Sequence, residues 1–265
     1  MAKLHILGTS SGAPHAGGAC SSYLLEQDGT KVLLDLGPGS LPNLRSVTEV
    51  HDLDAIFITN MHSDHFLDLL PFNVARRTAP GRRMVNGAPW RTPLYLPPGG
   101  LATLKACFDA LQVNVSGSTA ASWVENFETR EYDPAETIAA GAISVSFVGP
   151  TKHAQDDWGM RIQLQNALFG YTGDTAFCQA AIEVGRDSGV FLAECTVLEP
   201  GGPNAETHTS VPELAEMATA AGCERLLVTH FSNGTESWRA DLEHRLGALY
   251  KKPFQVVRIA DTFEF

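Results

Sequence analysis

A cluster of metal-ligand side chains follows directly on a short apolar run in the first quarter of the chain. The run covers residues 53–59, and the next six residues are Asn60-Met61-His62-Ser63-Asp64-His65. The run predicts a strand ending at Thr59, and the period of two of a strand brings residues 60 and 62 onto one face. Asp64 then stands where a helix is expected to begin. Imidazoles and a carboxylate on stiff backbone are typical of a metal site, and chance clustering is the alternative.

Three further candidate ligands lie at the ends of later apolar runs. Each comes at or just past the end of a run that predicts a buried strand: His153 after 142–148, Asp174 after 167–173 and His230 after 225–229. The carboxyl ends of neighbouring strands lie along one edge of a sheet, where binding sites of α/β folds tend to form. Residues distant in sequence can therefore converge there.

Short motifs follow one another along nearly the whole chain, at 7–14, 33–37, 60–65, 153–162, 171–175 and 228–232. In this order they resemble the metallo-β-lactamase superfamily, and within it the branch of tRNase Z, cyclic-nucleotide phosphodiesterases and related phosphodiesterases. Any one motif would be weak, but the ordered set is specific. The resemblance implies an α/β fold, the four-layer αββα sandwich, and we expect one domain over residues 1–265.

The resemblance also implies a set of metal ligands. Two metal ions would be bridged by Asp174, one held by positions 60, 62 and 153 and the other by Asp64, His65 and His230. Zinc is the expected metal, with one or two ions per chain and Mn²⁺ or Fe²⁺ as alternatives. Asp35, in the early strand motif, is expected to orient the loop that carries the ligands.

Asn60 departs from the pattern, because the superfamily signature has a histidine at this position. An amide oxygen is a poorer zinc ligand than an imidazole. Without it, the affected ion keeps His62, His153, Asp174 and a hydroxide, which still makes the usual four ligands. We therefore expect a weakened position. A subclass of metallo-β-lactamases with Asn here works with one zinc, so a one-metal enzyme is an alternative.

A second set of residues bears on the mechanism. The run 190–196 predicts a buried strand that carries Glu194, and His208 precedes a helix predicted to begin near Val211 with Ser210 as its cap. In the tRNase Z branch a matching glutamate and histidine lie beside the metals, and the histidine is thought to protonate or stabilise the leaving oxygen. The catalytic residues that we expect are Asp64, His208 and Glu194. The alternative makes Glu194 a cap and His208 a surface residue.

The composition indicates in which cellular compartment the protein is expected. No segment approaches the roughly 18 consecutive apolar residues of a membrane span, and the first residues lead straight into a predicted strand, so we expect a cytoplasmic protein with no membrane partner. The five cysteines are scattered and predict reduced thiols. Relatives in this branch are often dimers, so a homodimer is one expectation, although no feature of the sequence indicates it independently.

Charge limits the substrate. A formal charge of −11 opposes long nucleic acids, and His153 and Asp174 are too close in sequence for the tRNA-binding arm of tRNase Z. A small, anionic substrate is expected. The arginine-rich segment 76–91 is interpreted as a rim or lid for it, with a solvated loop or a dimer contact as alternatives. Asp156 and Asp157 lie close to His153 in sequence and could face the pocket, but a solvated turn is favoured.

These observations predict a hydrolase that uses a metal-bound hydroxide, acting on a phosphodiester of a small nucleotide or metabolite. One alternative is a carbon-centred hydrolase of a lactone, thioester, amide or β-lactam, or a related enzyme of specialised metabolism. Another is a metal-poor binding or regulatory protein that has kept the pocket.

Overall fold

The computed structural model of the chain describes residues 1–112 and 122–265. The strands of its first half are β1 (Ala2–Gly8), β2 (Ser22–Gln27), β3 (Thr30–Leu34), β4 (Ala55–Phe57), β5 (Met84–Val85), β6 (Ala88–Pro89), β7 (Thr92–Leu96) and β8 (Phe127–Glu131). Those of its second half are β9 (Thr137–Ala140), β10 (Ile143–Val148), β11 (Gly159–Gln163), β12 (Leu168–Tyr171), β13 (Val190–Glu194), β14 (Arg225–Thr229), β15 (Phe254–Val256) and β16 (Thr262–Glu264).

Helices follow the strands in both halves. They are α1 (Ser40–Val47), α2 (Ser63–Phe66), α3 (Leu69–Thr78), α4 (Gly100–Gln112), α5 (Ser122–Asn126), α6 (Gln179–Gly185), α7 (Val211–Ala221) and α8 (Glu236–Leu249). The predicted cap of α7 is confirmed, because Ser210 and Glu213 form a capping box at its first turn. Within the described ranges, no helix combines the length and the apolar character needed to cross a membrane.

Two seven-stranded sheets organise these elements. The first has the order β16-β1-β2-β3-β4-β7-β8, and the second has the order β15-β14-β13-β12-β11-β10-β9. In each sheet a parallel half, β3-β4-β7-β8 or β12-β13-β14-β15, continues an antiparallel half. The inner parallel strands β4 and β13 are buried along their whole length, which explains the continuous apolar runs in their sequences.

Three hydrophobic clusters fix the order of the layers. The largest lies between the sheets and includes Leu4, Phe57, Phe169 and Leu192. A second cluster packs helices such as α3, through Phe72, on the outer face of the first sheet. A third packs α7 and its neighbours on the outer face of the second sheet. The layers are therefore helix, sheet, sheet and helix, and the predicted αββα sandwich is confirmed.

Candidate metal centre

The predicted ligands meet where the carboxyl ends of parallel strands from both sheets face each other. Residues 60–65 follow β4, Asp174 follows β12 and His230 follows β14. Three overlapping groups of ligand atoms form there, with all atoms of a group within 4.8 Å of one another, and one of them joins Asp174 and His230 to Glu194 and His208. The four-ligand position consists of Asp64, His65, Asp174 and His230, and the three-ligand position consists of His62, His153 and Asp174.

Distances within the four-ligand position suit a metal ion. Asp174 Oδ1 lies 3.1 Å from His65 Nε2 and 3.0 Å from His230 Nε2, and Asp64 Oδ2 lies 3.3 Å from His230 Nε2. Four tetrahedral ligands at about 2.0–2.2 Å from zinc are roughly 3.3–3.6 Å apart. His65 Nε2 and Asp174 Oδ1 are buried without a hydrogen-bond partner among the described residues. Buried polar atoms rarely stay unpaired, so this donor set fits a cation at its centre.

Both carboxylates of the four-ligand position are held in the ionised form. Burial alone would raise the pKa of each carboxyl, but the positive charge of the His230 and His65 imidazoles, whose place a bound cation would take, outweighs it. The pKa of each carboxyl therefore lies well below its usual range. Ionised carboxylates are the form that binds metal.

Each imidazole of the four-ligand position is oriented by a buried oxygen. His65 Nδ1 lies 2.8 Å from Asp35 Oδ2, which also accepts from Tyr171 Oη across the sandwich at 2.7 Å. His230 Nδ1 lies 2.9 Å from Thr196 Oγ1. With Nδ1 donating to these oxygens, Nε2 of both rings keeps its lone pair for a metal. Asp35 therefore contacts a ligand directly, as the predicted orienting role requires.

Backbone geometry at two of these residues is unusual. Asp35 has a φ of 55° and His230 a φ of 60°, in the left-handed region that non-glycine residues rarely adopt. Such conformations persist where the surroundings fix them and cluster at functional sites. Here the fixed loops turn both side chains toward the metal centre.

The three-ligand position contains two imidazoles in contact. His62 Nδ1 lies 2.9 Å from His153 Nε2, which lies 3.7 Å from Asp174 Oδ2. His153 Nδ1 donates to the carbonyl oxygen of Thr207 at 2.9 Å, so Nε2 is the ring nitrogen that keeps its lone pair, and it faces His62 Nδ1. Burial and the neighbouring His153 lower the pKa of His62, which favours the neutral form that binds metal.

Asn60 is fully buried beside this position with both ends of its amide in hydrogen bonds. Its Nδ2 donates to Asp157 Oδ2 at 2.5 Å, and its Oδ1 accepts from the backbone N–H of His62 at 2.8 Å. If the two amide atoms were exchanged, the NH₂ group would face the N–H of His62 and the oxygen would face the carboxyl oxygen of Asp157. These two partners therefore fix the orientation of the amide. The amide nitrogen therefore points at a carboxylate, and the predicted role of Asn60 as a ligand stays a prediction.

Asp157 corrects one expectation from the sequence. Its side chain is fully buried, whereas the neighbouring Asp156 is exposed as expected. Besides Asn60, its Oδ2 accepts from the backbone N–H of Asp174 at 3.0 Å. Desolvation, together with the charge of Asp174, raises the pKa of Asp157 well above its usual range. The closeness of Asp157 to His153 in sequence was a signal that it could face the pocket, but the run of polar residues favoured a solvated turn.

Glu194 and His208 form a pair beside the ligands, as expected. His208 Nδ1 lies 2.8 Å from Glu194 Oε1, and the His208 ring lies 5.4 Å from the His230 ring. Burial lowers the pKa of His208, but the charge of Glu194 and the hydrogen bond to it outweigh burial and raise it to about 9. The imidazolium form is therefore favoured near neutral pH.

Thr196 joins this pair to the four-ligand position. Its hydroxyl donates to Glu194 Oε2 at 2.8 Å and accepts from His230 Nδ1. One hydroxyl thus contacts Glu194, the partner of His208, and also orients His230, a candidate metal ligand. Thr196 was not predicted as a site residue, because its spacing of two from Glu194 at the end of β13 places it on the same face but does not show what its hydroxyl would contact.

The arginine-rich segment 76–91 lies at the end of the first sheet where its parallel strands begin, opposite the end that carries the ligands. Arg83 pairs with Asp54 just before β4, and Arg91 donates to the carbonyl oxygen of Phe127 at the start of β8. Arg76 is buried and bonds to backbone oxygens and Thr92 at the start of β7. Because the ligands follow the carboxyl end of the parallel strand β4, the interpretation of this segment as a substrate rim or lid is wrong.

Comparison with known proteins agrees with this architecture. A family model described as the Beta-lactamase superfamily domain matches residues 30–231. The chain belongs to this superfamily. The probable metallo-hydrolase YhfI of Bacillus subtilis is 25% identical over 228 residues, which cover 86% of each chain. A ribonuclease Z of Mycolicibacterium gilvum is 27% identical over 263 residues, covering 91% of this chain and 89% of the relative.

Solved structures show the same superfamily fold. The crystal structure of YhfI superposes with a TM-score of 0.81 at 20% identity and covers all of both chains. A diphosphatase from the PhnP family superposes with a TM-score of 0.73 at 19% identity, covering all of this chain and 98% of that one. At these identities the structures establish the shared fold, and the tRNase Z-like branch suggested by the motifs fits both sets of relatives.

Proposed function

We propose that this member of a metallo-hydrolase superfamily hydrolyses a phosphodiester of a small nucleotide or metabolite. Asp64, His65, Asp174 and His230 would hold one metal ion, and His62 and His153 would share Asp174 for a second. A bound zinc ion lowers the pKa of a water toward about 7 and so supplies hydroxide at neutral pH. The mixed imidazole and carboxylate donor set suits zinc, with Mn²⁺ or Fe²⁺ as alternatives.

The Glu194–His208 pair is the observation that carries the proposal. A departing alkoxide needs a proton, and an imidazolium held by a carboxylate is a good donor near neutral pH. Glu194 fixes Nδ1 of His208 and leaves Nε2 to face the substrate. Thr175 N–H and the Thr196 hydroxyl hold the two oxygens of Glu194 in turn. The names of the diphosphatase and ribonuclease Z relatives agree with phosphorus chemistry.

Charge and sequence spacing support a small substrate. The formal charge of −11 opposes a long polyanion. The 21 positions from His153 to Asp174 contain β11 and β12, which leaves no room for a long arm. We therefore propose a small, anionic substrate, a cytoplasmic setting, and no long nucleic acid as partner.

The test compares two leaving groups. General acid assistance contributes about 10²–10⁴-fold, and a poor leaving group needs it far more than an activated one. His208→Ala should therefore slow hydrolysis of an alkyl or ribose phosphodiester far more than that of a nitrophenyl diester, at unchanged metal content. Glu194→Gln should show a smaller loss of the same pattern. His244→Ala, which removes an exposed histidine of α8, is the matched control.

Two outcomes would overturn the proposal. Equal losses on both diesters would assign His208 a binding or structural role. Absence of phosphodiester turnover in the metal-loaded wild type would favour the carbon-centred hydrolase, in which the attack is on a carbonyl. Because the raised pKa favours protonated His208, the rate on the alkyl diester should fall as the pH rises through that pKa. His208→Ala should lack this fall.

A further inference from the structure

We propose that Asp157 is a positioning residue for the three-ligand position. Its carboxylate fixes the side chain at position 60, which is an amide in this chain, and would orient an imidazole placed there as a metal ligand. The inference rests on the proposed metal centre but not on the substrate. No sequence motif and no comparison assigns a role to this residue.

The contacts of Asp157 place it between two parts of the centre. Its Oδ2 accepts from Asn60 Nδ2 at 2.5 Å and from the backbone N–H of the bridging residue Asp174 at 3.0 Å. Its backbone is anchored as well, because its carbonyl oxygen accepts from the backbone N–H of Thr151 at 2.9 Å. A buried carboxylate without donors would be costly, so these contacts are strongly favoured.

Gly173 makes room for this carboxylate. A Cβ built on Gly173 would lie 2.3 Å from Asp157 Oδ1, and Gly173 has a φ of +61° that favours glycine. The turn before Asp174 is therefore shaped around the side chain of Asp157. Asp157 Oδ1 itself has no hydrogen-bond partner among the described residues.

Asp35 and His65 show what such a carboxylate does for a ligand. Asp35 accepts from His65 Nδ1 and leaves Nε2 for the metal. In asparagine and histidine alike, a nitrogen is bonded to Cγ. An imidazole at position 60 in the same side-chain orientation would therefore place Nδ1 near the present amide nitrogen, where it could donate to Asp157. The three-ligand position thus lacks a ligand while keeping the residue that would support it.

The test uses zinc alone and needs no substrate. Apo protein is titrated with Zn²⁺, and with Co²⁺ to follow ligation by absorbance, for Asn60→His alone and combined with Asp157→Ala or with Asp156→Ala. Asp156 is the matched control, since it is the adjacent acid and is exposed. Asn60→His should bind a second equivalent. Adding Asp157→Ala should weaken that equivalent by about 10- to 100-fold, and adding Asp156→Ala should not.

Asp157→Asn keeps the volume and one acceptor oxygen, so it serves if Asp157→Ala fails to fold. It should weaken the second equivalent less than Asp157→Ala does. Either of two results would overturn the proposal: no second equivalent in Asn60→His, or a second equivalent as tight with Asp157 replaced as with Asp156 replaced. A lack of phosphodiester turnover would leave the titration interpretable, because it would count against the proposed substrate alone.

Discussion

The two candidate metal positions of this chain share Asp174 but differ in what surrounds them. The four-ligand position has a complete set of donors, and each of its imidazoles is oriented by a buried oxygen, Asp35 for His65 and Thr196 for His230. The three-ligand position has two imidazoles in contact, and beside them the amide nitrogen of Asn60 donates a hydrogen bond to Asp157. A position can therefore keep the residue that orients a ligand and yet lack the ligand itself. We expect the two positions to bind metal with unequal affinity.

The largest effect should come from the residue that the positions share. Asp174→Ala removes a ligand from both, so metal content and turnover should fall together, by more than the roughly 10- to 100-fold cost of losing an orienting residue. Metal analysis of protein purified without added metal, together with a phosphodiester assay, measures both. Asp156→Ala is the control for loss of a carboxylate. Near-native metal and turnover in Asp174→Ala would contradict the shared role.

Asp35→Asn should weaken the four-ligand position selectively. It leaves a neutral acceptor in place of the carboxylate beside His65, so zinc affinity there should fall by about 10- to 100-fold. The three-ligand position, which Asp35 does not contact, should change far less. Zinc competition with a chelator gives both constants. Equal weakening at the two positions would mean that Asp35 supports the sandwich as a whole.

Thr196→Val should have a smaller effect on the same position. The substitution removes the hydroxyl that accepts from His230 Nδ1 and donates to Glu194, so we expect about a 10-fold loss of zinc affinity. It should also slow hydrolysis of an alkyl diester more than that of a nitrophenyl diester, because only the alkyl leaving group depends strongly on the proton from His208. Thr196→Ser keeps the hydroxyl and should restore both properties. A full loss in Thr196→Ser as well would assign the effect to packing of the missing methyl group.

Much of the four-ligand position was predictable because local patterns determine it. Each ligand follows an apolar run that becomes a strand, and parallel strands bring their carboxyl ends together whatever lies between them in sequence. The layers of the fold followed from the order of the motifs through the resemblance. The convergence of the ligands needed only the direction of each strand, whereas the layers needed the resemblance as well.

The errors occurred where burial depends on distant partners. Asp157 lies in a polar stretch whose pattern is typical of a solvated turn, and it is buried because the loop after β10 meets Asn60 after β4 and Asp174 after β12. The arginines of 76–91 were predicted to lie near the substrate because of their positive charge. Their partners, however, lie where the parallel strands begin, and the ligands lie where these strands end. Thr196 was missed because a single hydroxyl has no periodic pattern.

Stepwise zinc titration of the apo wild-type protein tests the inequality of the two positions most directly. We predict that one equivalent binds tightly, resists a chelator and is weakened about 10- to 100-fold in Asp35→Asn, and that a second binds weakly. Asn60→His should raise occupancy toward two ions per chain, because it supplies the missing imidazole. Two equal, full and chelator-resistant equivalents in the wild type would contradict the account.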